Sequence, residues 1–308
     1  MSLLPSWLTV SQEVREALHT GKPVVVLEST LISHGLPWPV NLETARDAEA
    51  AVRSQGAIPA TIAVLAGRPT IGLTDEELQE FAQTTGVMKA SRRDLGTAVG
   101  LKRTAGTTVS ATMALAHAAG VQVFATGGIG GVHRRGNPLE PLDISADLTE
   151  LARTSVLVVC AGAKSILDLP HTLETLETLG VPVLGYRTDE FPAFTTSGSG
   201  GPVSARVNTA TEAAAVFAAH RQTGGAGAIL AQPVDPSLAV PAEEFERARV
   251  QAESEAITAG ITGARLTPFL LNRLAELTGG KTLPVNRALI VANAHLAAEV
   301  AGALLAQH

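Results

Sequence analysis

Short apolar runs alternate with amphipathic stretches from residue 23 to about residue 230. A short run rich in Val, Ile and Leu between turn residues is typical of a buried strand. The stretches between these runs have the polar caps and glycine stops that are typical of helices. The pattern predicts strands at Pro23–Leu27, Ala60–Leu65, Val87–Ala90, Val121–Ala125, Ser155–Cys160, Val181–Tyr186 and Gly227–Leu230.

Helices are predicted between these strands and throughout the chain after Pro241. Asn41 is expected to cap a helix that ends at Ser54, and Thr74 has capping-box spacing to Glu77. Because strands and helices alternate, we expect one α/β domain over residues 1–308, with a mostly parallel sheet covered on both faces. The other helices are predicted at Thr107–Ala119, Ser145–Arg153, Ile166–Leu179, Thr209–Thr223, Pro241–Ala259, Thr267–Thr278 and Val285–Gln307.

Composition and charge argue against several classes of partner. The chain has 23 basic and 29 acidic residues, a net charge of -6, so it is not expected to coat a nucleic acid polymer. No stretch is judged apolar for long enough to cross a bilayer, and the N-terminus lacks a signal-peptide pattern, so no membrane partner is expected. The single cysteine, Cys160, excludes a disulfide framework and favours a reducing, cytoplasmic location.

Polar side chains follow several predicted strands at their carboxyl ends, which is where parallel α/β sheets bind ligands. One such residue would mean little, but several on one rim of a sheet predict a pocket. They are Glu28 after Val24–Leu27, Lys89 after Val87–Met88, Thr126 after Val121–Ala125, and Lys164 after Val156–Cys160 and the turn Ala161–Ala163.

Two of these residues have a chemical and a structural interpretation. Partial desolvation lowers the pKa of an amine, so Lys164 is a candidate Schiff-base nucleophile. Taken alone, a lysine that reaches solvent or pairs with a carboxylate is the commoner case. Glu28, beside apolar residues, is a candidate general acid with a raised pKa, or equally a carboxylate that accepts hydrogen bonds from loop amides.

Three further motifs point to a phosphate or a metal. The glycine run Gly127–Gly131 allows close backbone approach to a ligand, but it matches neither a dinucleotide fingerprint nor a P-loop. Asp143 and Asp147 are spaced i and i+4 on a predicted helix, where they would cap the helix or bind Mg²⁺ or Mn²⁺. Amides at the helix start near Val109 could bind a phosphate, with Lys89 as the countercharge.

Taken together, long segments of the chain resemble the pseudouridine-5'-phosphate glycosidase family. The resemblance implies a three-layer α/β/α fold with a largely parallel mixed sheet, a homotrimer, and a divalent metal, commonly Mn²⁺. It also implies reversible cleavage of pseudouridine 5'-phosphate to uracil and ribose 5-phosphate. The matching segments, which occur in family order, are Val26–Gly35, Lys89–Leu95, Phe124–Arg134, Asp143–Leu148, Val159–Asp168, Thr267–Leu271 and Glu276–Gly280.

The resemblance also assigns roles to single residues. By motif match, Lys164 corresponds to the Schiff-base nucleophile, Glu28 to the proton donor and Asp143 to the metal ligand. A C-linked base cannot leave through a protonated oxygen or nitrogen, so the expected route opens the ribose and forms an imine at C1. The other correspondences are substrate-binding positions at Lys89, Val109, Ser145, Ala146 and Asp147, with Thr126, His133 and Asn286 expected to border the same pocket.

Two other activities are compatible with a reactive lysine or a sugar-phosphate pocket. A lysine-dependent aldolase would share the imine chemistry but not the matching segments. A non-catalytic sugar-phosphate sensor would need no acid and nucleophilic amine together, so Glu28 and Lys164 argue against it. A nucleoside kinase is disfavoured because the chain has no phosphoryl-transfer loop.

Overall fold

A computed structural model describes residues 4–134, 142–196 and 198–307. Within these ranges eleven strands form one sheet, and two short strands pair separately. The strands are β1 (Thr9–Val10), β2 (Val24–Leu27), β3 (Ile58–Leu65), β4 (Arg68–Ile71), β5 (Met88–Ala90), β6 (Ala105–Thr107), β7 (Val123–Ala125), β8 (Val132–His133), β9 (Leu157–Cys160), β10 (Leu167–Asp168), β11 (Val183–Tyr186), β12 (Ala205–Val207) and β13 (Ala228–Ala231).

The main sheet is mixed and largely parallel, as the resemblance implied. Its strands lie in the order β1-β4-β3-β2-β7-β9-β13-β11-β12, while β6 pairs with β3 and β5 pairs with β6. Strand β3 runs antiparallel to β4 and β6, whereas strands β2, β7, β9 and β13 at the centre pair in parallel. The carboxyl ends of the central strands therefore meet at one edge.

Helices cover both faces of this sheet. In β2, Val24 and Val26 belong to the same apolar core as α1 and α5, whereas Val25 and Leu27 share a core with α2, α8 and α11. Successive side chains of a strand point to opposite faces, so the three-layer α/β/α fold is confirmed. The helices are α1 (Gln12–Thr20), α2 (Val40–Ser54), α3 (Asp75–Gln83), α4 (Leu95–Gly100), α5 (Val109–Ala118), α6 (Ala146–Leu151), α7 (Leu169–Thr178), α8 (Ala210–Gln222), α9 (Ala242–Thr258), α10 (Leu266–Leu277) and α11 (Thr282–Leu305).

One of the two helix caps predicted from the sequence is confirmed and the other is wrong. Thr74 and Glu77 form the reciprocal hydrogen bonds of a capping box at the start of α3. Asn41 instead lies inside α2, where its buried side-chain amide donates to the carbonyl oxygens of Ile32 and Ala82 at 2.8 and 2.9 Å. Asn41 therefore ties α2 to two neighbouring segments, a role that the local pattern does not reveal.

The predicted helices Thr107–Ala119 and Ile166–Leu179 both begin later than expected. Thr107 ends strand β6, and α5 begins at Val109. The second segment first forms β10, which pairs antiparallel with β8, and α7 begins only at Leu169. In both segments the first residues pair as a strand, although the sequence pattern alone had placed them in the helix.

Helix α11 corrects the expectation that no stretch is apolar for long enough to cross a bilayer. By length and composition it is long and apolar enough, with a mean hydropathy of 1.7 over 18 residues. Of that window 56% is buried inside the protein, where α11 packs on α2, α8, β2, β7 and β9. A helix in the core of a protein has the same composition, so burial against the sheet accounts for its apolar character.

Candidate functional site

A cavity of about 350 Å³ lies at the edge where strands β2, β5 and β9 end. It brings together most of the site residues predicted from the sequence. Acidic and basic side chains share its walls, so it is suited to a ligand with both anionic and hydrogen-bonding groups. The predicted residues that line it are Glu28, Lys89, Val109, His133, Asp143, Ser145, Ala146, Asp147 and Lys164.

Lys164 reaches this cavity through a turn that depends on glycine. Gly162 has a φ of +82°, and a Cβ there would lie 2.0 Å from the carbonyl oxygen of Pro192. The turn is fastened to the glycine-rich loop, since Ile129 N donates to Gly162 O at 3.0 Å and Lys164 N donates to Ile129 O at 3.1 Å. Lys164 is half-buried and forms no salt bridge with any residue that the structure describes.

Glu28 also lines this cavity, and its carboxylate is held by the residue that follows strand β7. The hydroxyl of Thr126 donates to Oε1 of Glu28. The pKa of Glu28 is raised because burial penalises its charged form, although Lys164, the Thr126 hydrogen bond and Lys89 oppose the shift. A carboxyl group of this kind keeps its proton to higher pH than an exposed one, which suits a proton donor.

Thr126 is itself held in place from helix α11. The side-chain amide of Asn293, which is fully buried, donates to the carbonyl oxygen of Thr126 at 2.9 Å. Thr126 does not line the main cavity but supports Glu28 from behind. Asn286, about two turns before Asn293 on α11, lies beside Gly127 and is not among the residues that line the main cavity.

Lys89 provides a second amine in the cavity. It lies on β5 in register with Gly106, beside the start of α5. The pKa of Lys89 is lowered chiefly by burial and then by the positive charge of Lys164, while Glu28 and Asp147 oppose the shift. Two amines and two carboxylates are thus close enough to influence one another.

Asp147 has a structural task that its spacing to Asp143 did not suggest. Its two carboxylate oxygens accept the amides of Ser110 and Gly130 at 2.9 and 2.8 Å. The expectation that Asp143 and Asp147 lie on one helical face is wrong, because α6 begins at Ala146. Asp147 joins the start of α5 to the glycine-rich loop, and each of its carboxylate oxygens accepts one backbone amide.

Asp143, the residue predicted as a metal ligand, lies at the cavity with its carboxylate exposed. This exposed carboxylate lies near His133, whose pKa is lowered chiefly by burial while Asp143 opposes the shift. The described residues contain no group of three His, Cys, Asp or Glu that could hold a metal ion. One carboxylate, with water and a substrate phosphate, fits the way proteins bind Mg²⁺-like ions, but it does not form a closed protein cage.

Several other residues, which the sequence did not single out, also line the cavity. Arg93 and Asp94 come four and five residues after Lys89 in the sequence. Charged residues in a turn usually face solvent, so their nearness to Lys89 in the sequence does not identify them as site residues. Ser91 N and Oγ donate to Asp94 Oδ2 at 2.9 and 2.7 Å, which shapes this turn. Gly130 of the predicted glycine run also lines the cavity, and the additional lining residues are Thr30, Ser91, Arg93, Asp94, Thr108, Ile144, Leu167, Gly263 and Thr267.

Comparison with known proteins gives consistent results over nearly the whole chain. A family model described as indigoidine synthase A like protein matches residues 13–303. A pseudouridine-5'-phosphate glycosidase from Herpetosiphon aurantiacus is 54% identical over 96% of this chain and 98% of its own. One of the same name from Symbiobacterium thermophilum is 53% identical over 97% of this chain and 98% of its own.

Two solved structures have the same fold. A prealnumycin C-glycosynthase in complex with ribulose 5-phosphate aligns with a TM-score of 0.90 and 42% identity, covering 98% of both chains. An indigoidine synthase A-like protein from Thermotoga maritima aligns with a TM-score of 0.86 and 35% identity, also covering 98% of both chains. The chain thus belongs to the indigoidine synthase A-like family, together with the pseudouridine-5'-phosphate glycosidases that its sequence resembles.

Proposed function

We propose that this protein reversibly cleaves the C-glycosidic bond of pseudouridine 5'-phosphate to give uracil and ribose 5-phosphate. The observation that carries the proposal is that Glu28 and Lys164 line one cavity and interact electrostatically across it. Two relatives that share 54% and 53% of their residues with this chain are named pseudouridine-5'-phosphate glycosidases. A structural neighbour binds a pentose phosphate, which supports the same class of ligand here.

The carbon linkage of the base explains why an amine is needed. Glu28 donates a proton to the ring oxygen while Nζ of Lys164 bonds to C1 and the bond from C1 to the ring oxygen breaks. The bond between C1 and uracil then breaks, its electron pair remains on the uracil carbon, and that carbon takes a proton. C1 is left as an imine with Lys164, and water hydrolyses the imine to release ribose 5-phosphate.

Phosphate binding would hold the opened sugar near the amine. Lys89 supplies a positive charge, and the amide of Val109 opens α5, whose N-cap residue Thr108 makes no side-chain cap. A helix N-terminus of this kind favours an anion. Anchoring the phosphate limits the motion of C1, which raises the effective concentration of the reacting groups. Ser145, Ala146 and His133 complete the same wall.

Asp143 would hold a divalent ion such as Mn²⁺, and water and the substrate phosphate would supply its other ligands. When bound, it would neutralise phosphate charge at the mouth of the cavity. Titration calorimetry with Mn²⁺ alone, and again with ribose 5-phosphate present, tests this directly. We expect Asp143→Asn to weaken Mn²⁺ binding, and unchanged binding would remove Asp143 as a ligand.

We also propose that the protein is a homotrimer in the cytoplasm, in keeping with the family resemblance and with its single buried cysteine, Cys160. Light scattering of the purified chain measures the assembly. A mass of one or two chains would refute the trimer.

Lys164→Ala tests the activity itself. We expect the variant to fold and to release no uracil from pseudouridine 5'-phosphate, while Lys281→Ala, which removes a surface ion pair with Glu244, keeps wild-type turnover. Borohydride with ribose 5-phosphate should add mass to the wild type and not to Lys164→Ala.

The alternatives give different results in the same experiment. Wild-type kcat in Lys164→Ala would remove Lys164 from the mechanism. An aldolase would form the adduct without releasing uracil, and a sensor would form no adduct.

A further inference from the structure

A second, much smaller cavity lies behind Glu28, on the side of β2 that faces α2. Its volume of about 20 Å³ is enough for one water molecule. Most of its wall is apolar and comes from β2, β7, α2 and α11, but three polar side chains border it: Glu28, Thr61 and Thr126. A buried water needs two to four polar partners, and these side chains supply them.

Thr61 connects this cavity to a carboxyl group that the proposed reaction does not use. The Thr61 side chain is buried on β3, and its hydroxyl donates to Oε1 of Glu49 at 2.6 Å. Glu49 lies on α2, next to Ala48 and one turn after Ala45, both of which border the cavity. The contact therefore lies on the face of α2 that packs on the sheet, and Glu49 is half-buried there, with part of its side chain open to solvent.

We propose that a water molecule in this cavity joins Glu28 to Thr61, and that Glu49 restores the proton that Glu28 donates in each turnover. The proposal rests on the function proposed above, in which Glu28 is the proton donor. In the transfer, a protonated Glu49 gives its proton to Thr61 Oγ1, the Thr61 hydroxyl gives its own proton to the water, and the water gives one to the Glu28 carboxylate. Each oxygen ends with a full set of bonds, and no redox partner is required.

The need for such a route follows from the position of the main cavity. When a sugar phosphate fills it, solvent reaches Glu28 less easily from that side. The route through Thr61 approaches the same carboxyl group from the opposite side of the strand. Thr61 and Glu49 would thus act through Glu28 without touching the substrate.

The charges around the two carboxyl groups are compatible with proton exchange between them. The pKa of Glu49, like that of Glu28, is raised chiefly by burial. Both shifts favour the protonated form of the carboxyl group, which a proton donor and the group that reprotonates it both require. Glu28 faces Lys164, Lys89 and Asp147, whereas Glu49 faces Arg53, Asp75 and Glu13.

Thr61→Val and Glu49→Gln test the route, because each removes a proton-carrying group with little change of shape. For each we expect kcat to fall by about tenfold, with an unchanged KM and a larger solvent deuterium isotope effect on kcat. The double variant should be no slower than either single variant, because both interrupt one path. Thr70→Val is the matched control: this buried threonine on β4 donates only to the backbone of its own strand, at Arg68 O.

A purely structural role would change stability, but not the isotope effect or the pH profile of kcat. The proposal is overturned if both variants match Thr70→Val in kcat, isotope effect and pH profile. A high-resolution crystal structure of the wild type provides a readout that does not depend on activity. It should contain a water within hydrogen-bond distance of Glu28 and Thr61, and an empty or collapsed cavity also overturns the route. A wild type that releases no uracil refutes the proposed function instead.

Discussion

Replacing Thr126 by valine removes the hydroxyl that donates to Glu28 without changing the size of the side chain. A hydrogen bond to a charged group contributes about 1.5 to 3 kcal/mol. Because this bond favours the ionised carboxylate, it holds the pKa of Glu28 down, and its loss should raise the pKa of Glu28 further above the ordinary value.

The sign of the effect on the rate follows from the role of Glu28 as a proton donor. Only the protonated carboxyl group is active, so kcat/KM declines as pH rises through the pKa of Glu28. In Thr126→Val this decline should move to higher pH. The assay is uracil release from pseudouridine 5'-phosphate, measured as kcat/KM across the acidic, neutral and alkaline range.

Thr126→Ser is the matched control because it keeps the hydroxyl, and its pH profile should stay with that of the wild type. A decline that stays in place in Thr126→Val, or that moves to lower pH, would refute the reasoning. It would mean either that Glu28 acts as an ionised base or that another group determines the alkaline limb.

Three further variants probe the cavity walls. Gly162→Ala should lower the unfolding temperature far more than Gly120→Ala: both have positive φ, which costs roughly 1–2 kcal/mol, but only Gly162 lacks space for a Cβ. Asp147→Asn should cost about 1–3 kcal/mol in urea unfolding because one of its two amide donors loses its acceptor. Asp75→Asn, in an exposed ion pair, should change the unfolding midpoint much less. Glu28→Gln should stop turnover yet raise stability at neutral pH. Because the pKa of Glu28 is raised in the folded state, the wild-type carboxyl group contributes its full stability below its unfolded pKa and loses this contribution as pH rises through its folded pKa. The gain in stability of Glu28→Gln over the wild type should therefore vanish in acid. Equal losses in either matched pair, or a Glu28→Gln gain that persists in acid, would contradict these expectations.

The part of the site that lies at strand ends could be predicted from the sequence. Glu28 and Lys89 lie at the end of an apolar run, Lys164 follows one after a three-residue turn, and parallel strands bring such positions to one edge of a sheet. The pocket could be predicted from that rule, and the segments that match in family order identified the family that the chain resembles. The strand pattern was informative because each run is short and is bounded by turn residues.

The contacts that hold the site together could not be predicted in the same way. Asp147 binds the amides of Ser110 and Gly130, which are far from it in the sequence. Asn41 looked like a helix cap because its neighbours along the chain fit that role, yet its partners lie on other segments. Periodicity reports which face of an element is buried, but it does not identify the distant group that a polar side chain meets.

The position of α11 has a consequence for how the chain reaches its native state. Its partners β2, β7 and β9 leave the ribosome well before α11 does. Until then Val25 and Leu27 form part of an apolar surface that is open to water, which is the kind of surface that chaperones bind and that aggregates. Completion of this layer must therefore wait until α11 has been synthesised, and nascent chains that lack α11 should depend on chaperones to stay soluble.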